Sequence, residues 1–284
     1  MGTEDGMAYK MVALDLDETT LNEHGVLTPY TREVLQRVIE AGLCVVVASG
    51  RSWTSLPEEI RAFPGIRYAI VSNGAAIYEK ETGTCLRRLR LTARASQAIL
   101  SLVPTLDHII VEVGIDGQIY APAPYVEDPV AFRHTPHIVE YVQTTRVPVQ
   151  DILEFFRMHM EEVECVDIIC ENPDDKPQVA DRVRQEVPDV YVTSSIPSMV
   201  ELAHPEAGKG HALAYLAARE HIDSANIFAC GNADNDIDMV RYAGCGVAVE
   251  NATAGCLAAA DYVTDAHQRD GVAKALDAYV LSNI

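Results

Sequence analysis

Short apolar runs without polar interruption punctuate the chain: Met11 to Leu14, Leu43 to Ala48, Ala69 to Val71, Ile227 to Cys230 and Gly246 to Val249. Unbroken runs of this length are what strands buried on both faces of a parallel sheet require. Between the first two, Thr28-Pro29 opens a stretch in which Val34, Leu35, Val38 and Ile39 recur at helical spacing, and Gly42 ends it. Strand, helix, strand in that order predicts a right-handed parallel unit that sets the carboxyl ends of the first two strands side by side. From about Glu79 the character changes, and the buried-strand style returns only at Asn226. The intervening segment predicts strands at 86–91, 108–113, 118–121, 163–170, 190–194 and 199–203, and helices at 93–102, 150–160 and 176–187. Asp116-Gly117 marks a hairpin, and Pro122 to Pro136 reads as a loop. Helices at 212–221, 252–259 and 270–282 and a strand at 262–264 complete the pattern, with no internal repeat. The prediction is an α/β fold: residues 1–82 and 200–284 build one parallel-sheet core, and residues 83–199 form an inserted α+β domain.

Composition narrows the class. An apolar share of 48% over 284 residues describes a globular protein. No apolar run approaches the roughly 20 residues of a membrane span, and MGTEDGMAYK lacks the basic start and apolar core of a signal peptide, so a cytoplasmic protein is expected. Seven cysteines stand singly, with no CxxC pair, and read as reduced core residues; His134 and His137 flank prolines and read as loop residues. With 22 basic and 42 acidic side chains the net charge is −20, which repels nucleic acid and anionic membranes. An anionic substrate would have to be held by local cations.

The candidate chemistry begins where the first apolar run stops, at Asp15 and Asp17. On an extended backbone residues i and i+2 point to the same side, so two carboxylates converge at the carboxyl end of a buried strand, where open parallel sheets bind ligands. Neighbouring carboxylates repel unless a proton or a cation intervenes, and Mg2+ prefers oxygen ligands. Ending a strand and capping a turn is the structural alternative for the same acids.

Four segments in order, DLDET at 15–19, ASGR at 48–51, GKG at 208–210 and GNADND at 231–236, resemble the four motifs of the haloacid dehalogenase (HAD) superfamily of phosphohydrolases. The late insertion is similar to that of subfamily IIB, the Cof-type members, with their large α/β cap between the second and third motifs. Asn73-Gly74-Ala75, Asn251-Ala252 and Asp270-Gly271-Val272-Ala273 support the resemblance, which runs nearly end to end. It implies a Rossmann-like core with a specificity-determining cap. It also implies a Mg2+-dependent phosphatase acting on a small phosphorylated metabolite, such as a sugar phosphate, through an aspartyl-phosphate intermediate. Asp15 would be the nucleophile, Asp17 the acid and base, and Lys209 a fixed cation. Ser49, Gly50, Lys209 and Asn235 would hold the phosphate. Asp15, Asp17 through its carbonyl, Asn232 and Asp236 would provide the metal site.

The chain departs from the family at Asn232, where the fourth motif commonly has a metal-binding aspartate, and at Glu18, a position often filled by glycine. A phosphomutase of the same superfamily is the neighbouring alternative. A non-catalytic phospho-ligand-binding protein with a metal site weakened by Asn232 is another, opposed by the retention of Asp15, Asp17 and Lys209. A dinucleotide-binding enzyme is excluded, since Asp15 to Leu21 contains no glycine. Neither the substrate nor the oligomeric state is fixed by any motif.

Overall fold

The computed structural model describes residues 9–132 and 136–283. Residues 1–8, which hold most of the amino-terminal stretch read above, and His134 lie outside the described residues. The chain forms two compact units, one of Met1–Ser49, Leu56–Leu86 and Gly208–Ile284, the other of Gly50–Ser55 and Arg87–Ala207. Five strands come first: β1 (Met11–Asp15), β2 (Cys44–Ala48), β3 (Ile66–Val71), β4 (Ala76–Glu79) and β5 (Thr84–Arg88). Six follow in the second unit: β6 (Ile109–Ile115), β7 (Gln118–Pro122), β8 (Arg146–Val149), β9 (Val163–Cys170), β10 (Tyr191–Thr193) and β11 (Met199–Ala203). The last three, β12 (Ile227–Gly231), β13 (Cys245–Val249) and β14 (Tyr262–Thr264), return to the first.

The first unit is an eight-stranded sheet in the order β14-β13-β12-β1-β2-β3-β4-β5. β1 lies parallel to both neighbours, with Met11 opposite Cys44 on one side and Ile227 on the other. Every residue of β1 is buried, as its apolar run required. Met11 and Ala13 pack with Val46 and Ile70 against Ala212, Leu213, Leu216 and Ala217 of the helix Lys209–Arg219. That helix precedes a parallel strand, so it runs back over the sheet with its amino end at the strands' carboxyl edge. The helix Pro29–Glu40 starts where the sequence placed it: Thr28 caps it by accepting from the Thr31 N–H, and Val34, Leu35 and Val38 are buried.

The second unit is a six-stranded sheet in the order β10-β11-β9-β6-β7-β8, antiparallel except for the β7–β8 pair. The boundary expected between residues 199 and 200 falls inside β11, which pairs with β9 from Met199 to Ala203, and the unit continues to Ala207. The loop expected over 122–136 instead holds the helices Ala123–Glu127 and the start of Pro136–Thr145, which includes His137. Proline in a helix's first turn lacks only an N–H that has no partner there, so the proline count misled. Val111, Val113, Val166, Ile168, Val200 and Leu202 form a core on one face. On the other, Glu112, Asp167 and Glu201 stand in register across β6, β9 and β11. Arg146 clasps Glu112 through two hydrogen bonds of 2.8 Å, while burial and the two neighbouring glutamates push the Asp167 carboxyl well above its usual range.

Among the described residues no helix is long and apolar enough to cross a membrane. None of the seven cysteines takes part in a disulfide.

Candidate active site

Strand order reverses direction at β1: β2 and β3 lie to one side, β12 and β13 to the other. Such switch points open a crevice at the carboxyl ends of the strands. Asp15 ends β1 and Gly231 ends β12, so the turn that follows β12 meets the turn that follows β1. Lys209 enters from the first position of its helix, and its Nζ lies 2.7 Å from Asp15 Oδ1 and 2.6 Å from Asp236 Oδ1. Lys209 and Asp236 are wholly buried and Asp15 is 4% exposed. Close backbone packing brings these parts together. Gly74, in the left-handed region at φ +87°, leaves no space for a Cβ, which would lie 2.3 Å from the Gly208 carbonyl oxygen.

Two carboxylates and one ammonium leave this buried cluster with one net negative charge. Burial, then the nearby Asp236, push the Asp15 carboxyl up to about 7 against the opposing pull of Lys209. For Lys209 burial acts downward, but the two carboxylates outweigh it and hold the ammonium above its usual range. Asp236 accepts from Lys209 on one oxygen and from the Asn232 and Ala233 N–H groups, at 2.9 and 3.0 Å, on the other. Protein donors thus already face both oxygens of Asp236. Asp15 Oδ2 is buried without a hydrogen bond of ordinary length, and the Thr19 hydroxyl adds only the last and smallest of the downward pulls on the carboxyl. A poorly paired anionic oxygen in such a place is costly unless something electrophilic meets it.

That oxygen supplies the test for Mg2+. No group of three His, Cys, Asp or Glu residues suited to a metal ion gathers among the described residues. The donors that fit a hard cation are therefore Asp15 Oδ2 with neutral oxygens, for which the Asp17 carbonyl and the Asn232 amide are candidates.

The other expected residues are placed by a hub that the sequence reading had not put in the site. Asn73, left-handed at φ 51°, donates its N–H to the Ser49 carbonyl at 3.1 Å and accepts the Gly208 N–H at 2.8 Å. Its side-chain oxygen accepts from Asn235 Nδ2 at 2.9 Å. One residue thus ties together the segments that carry Ser49, Lys209 and Asn235. The legible signal was the Asn-Gly pair in the turn one residue after a buried strand, since asparagine is the non-glycine residue best suited to that conformation. Asn232 is buried, with its carbonyl accepting from the Thr253 N–H at 2.7 Å. Asp17 is half-buried just past β1, in extended backbone, and Thr20 Oγ1 donates to the Asp15 carbonyl at 2.5 Å. Gly50 begins the short stretch 50–55 that belongs to the second unit.

A parallel-sheet α/β unit with a lysine-held aspartate at its switch point defines the class: hydrolases built on a strand-end carboxylate. The family model described as haloacid dehalogenase-like hydrolase matches residues 12–276, and the chain belongs to that family. A 5-amino-6-(5-phospho-D-ribitylamino)uracil phosphatase of Bacillus subtilis, YcsE, is 26% identical, over 96% of both chains. The pyridoxal phosphate phosphatase YbhA of Escherichia coli is also 26% identical, over 97% of this chain and all of the relative. Among solved structures, a phosphatase of the same superfamily from Bacteroides thetaiotaomicron superposes with a TM-score of 0.80 at 25% identity, over 100% of this chain and 99% of that one.

Proposed function

We propose that the protein hydrolyses a small phosphomonoester through an aspartyl phosphate on Asp15. The observation that carries this reading is Asp15 Oδ2, buried at the end of β1 without a hydrogen bond of ordinary length while its sister oxygen is fixed by Lys209. A carboxylate so held cannot rotate away, which places a weak nucleophile at one point in space. Asp15 attacks phosphorus, the bond to the ester oxygen breaks, and Asp17 gives its proton to that departing oxygen. Asp17, now ionised, takes a proton from water, whose oxygen attacks phosphorus and releases Asp15 with inorganic phosphate. Lys209, Ser49 and Asn235 bind the phosphoryl oxygens, and Lys209 keeps Asp15 oriented. Asp236 acts through Lys209, by holding its ammonium. Asp15, the Asp17 carbonyl and Asn232 would hold Mg2+, which when bound neutralises charge between nucleophile and phosphate.

The two named relatives act on different phosphomonoesters. The leaving group is therefore assigned to reading by the second unit, acting as a cap over residues 87–207. The test is acid-quenched labelling with a phosphate-labelled substrate followed by peptide mapping. Label on the peptide containing Asp15, absent from Asp15→Asn, supports the reading; turnover by a clean Asp15→Asn preparation refutes it. Transfer of the label to an added sugar, in preference to water, would mark a mutase.

A further inference from the structure

The segment after β1 contains a local conflict that the catalytic roles above do not explain. Glu18 follows Asp17 and adopts φ 54°, ψ 18°, in the left-handed region. A residue with a Cβ is disfavoured there, because the Cβ crowds the carbonyl oxygen. The side chain is exposed and supplies no visible compensation. The turn around it is closed locally by the Leu21 N–H donating to the Leu16 carbonyl at 2.9 Å.

Two residues far along the chain hold the same turn from outside. Asn251, just beyond β13, donates its side-chain N–H to the Glu18 carbonyl at 2.9 Å. His267, beyond β14 and 6% exposed, has its Nδ1 3.0 Å from the Leu21 carbonyl. A carbonyl only accepts, so Nδ1 carries the proton. The two clamps are joined: the His267 N–H donates to Asn251 Oδ1 at 3.0 Å, which orients the amide with its donor toward Glu18. One bond therefore lands on the residue after Asp17 and the other on the far end of the turn.

We propose that Asn251 and His267 are positioning residues for Asp17. By pinning the carbonyls of Glu18 and Leu21 they keep the turn in its disfavoured conformation and thereby aim the Asp17 carboxyl at the leaving oxygen. This rests on the reading of Asp17 as the acid of the first step. The chemistry provides a signature that loss of folding would not imitate. An alkoxide leaving group needs Asp17's proton, whereas p-nitrophenolate departs almost unaided. A misaimed Asp17 should harm alkyl phosphates far more than p-nitrophenyl phosphate.

The experiment measures kcat/KM of wild type, Asn251→Ala, His267→Phe and His267→Asn on p-nitrophenyl phosphate and on a simple alkyl phosphomonoester, with Asp17→Asn as reference. Asn251→Ala and His267→Phe are expected to lose on the order of tenfold on the alkyl ester and less than threefold on the aryl ester. His267→Asn, which keeps an N–H close to the place of Nδ1, is expected to recover most of the alkyl rate. Asn251 has an exposed side chain, so its variant keeps the test available if His267→Phe does not fold. Equal losses on both esters in Asn251→Ala, beside an unequal loss in Asp17→Asn, would overturn the positioning role alone. An equal loss in Asp17→Asn itself would remove the acid role and the proposal with it.

Discussion

Replacing Asp15 by asparagine should abolish turnover and yet make the fold more stable, and the size of that gain follows from the site. In the folded protein the Asp15 carboxyl titrates near 7, against an ordinary 3.8, chiefly because it is buried and next because Asp236 lies close. Between those two values the folded chain binds a proton that the unfolded chain has released, so stability falls as pH rises through the window and the loss is complete above it. At about 1.4 kcal/mol per tenfold, the interval sets a ceiling of about 4 kcal/mol. Asparagine carries no charge and its Oδ1 can still accept from Lys209, now 2.7 Å from the Asp15 oxygen. The weaker neutral bond removes part of the gain, leaving roughly 1–3 kcal/mol at pH 8. Urea unfolding in the presence of a chelator, at pH 5 and pH 8, measures it. The variant should exceed wild type at pH 8, with a gain about 3 kcal/mol smaller at pH 5, where the advantage is small or reversed. A variant less stable than wild type at pH 8, or a gain independent of pH, would refute the claim that the nucleophile is held at the expense of stability.

Asn232→Asp adds an anionic ligand, and calorimetric Mg2+ titration should show affinity rising roughly tenfold; an unchanged affinity would place Asn232 outside the metal's ligands. Gly74→Ala forces a Cβ against the Gly208 carbonyl in a left-handed conformation, so thermal melts should show a loss above about 2 kcal/mol together with reduced turnover, Gly208 being the residue before Lys209. In the second unit Arg146→Met leaves Glu112 buried without its bidentate partner and should cost about 3–5 kcal/mol by urea unfolding. Combining it with Glu112→Leu should restore most of that loss, and failure to do so would count against the ion pair as the cause.

The central strands were legible because burial on both faces leaves an unbroken apolar run, as in Met11–Leu14 and Val45–Val47. Asp15 and Lys209 were legible through motif order, and the structure joins them directly. β4 and β8 were not: Ala76–Glu79 follows β3 after only the short turn Ser72–Gly74, so its apolar residues merged with that strand's end, and Arg146–Val149 has no apolar run and carries a proline. Within the site, a carboxylate's identity says nothing of which donors will face it, so the backbone N–H groups and the Lys209 ammonium that Asp236 accepts from were not legible. Asn73, Asn251 and His267 act through partners far away in sequence, and no local pattern encodes such pairings.

The position of β1 between β2 and β12 also orders events on the ribosome. Residue 44, which opens β2, emerges soon after residue 11, but residue 227, which opens β12, follows only after the whole second unit. At 5–20 residues per second that delay is roughly 10 to 40 s. During it the apolar strand that ends in Asp15 has one edge unpaired, a surface prone to pairing with other chains, while the second unit can close its sheet from one nearly continuous stretch. A chain interrupted before Gly231 would hold Asp15 without β12 complete and without the turn that supplies Asp236. Newly made protein should therefore need protection of that open edge until residues 227–231 have emerged, and no chain ending before Asp236 should be able to cleave a phosphate ester.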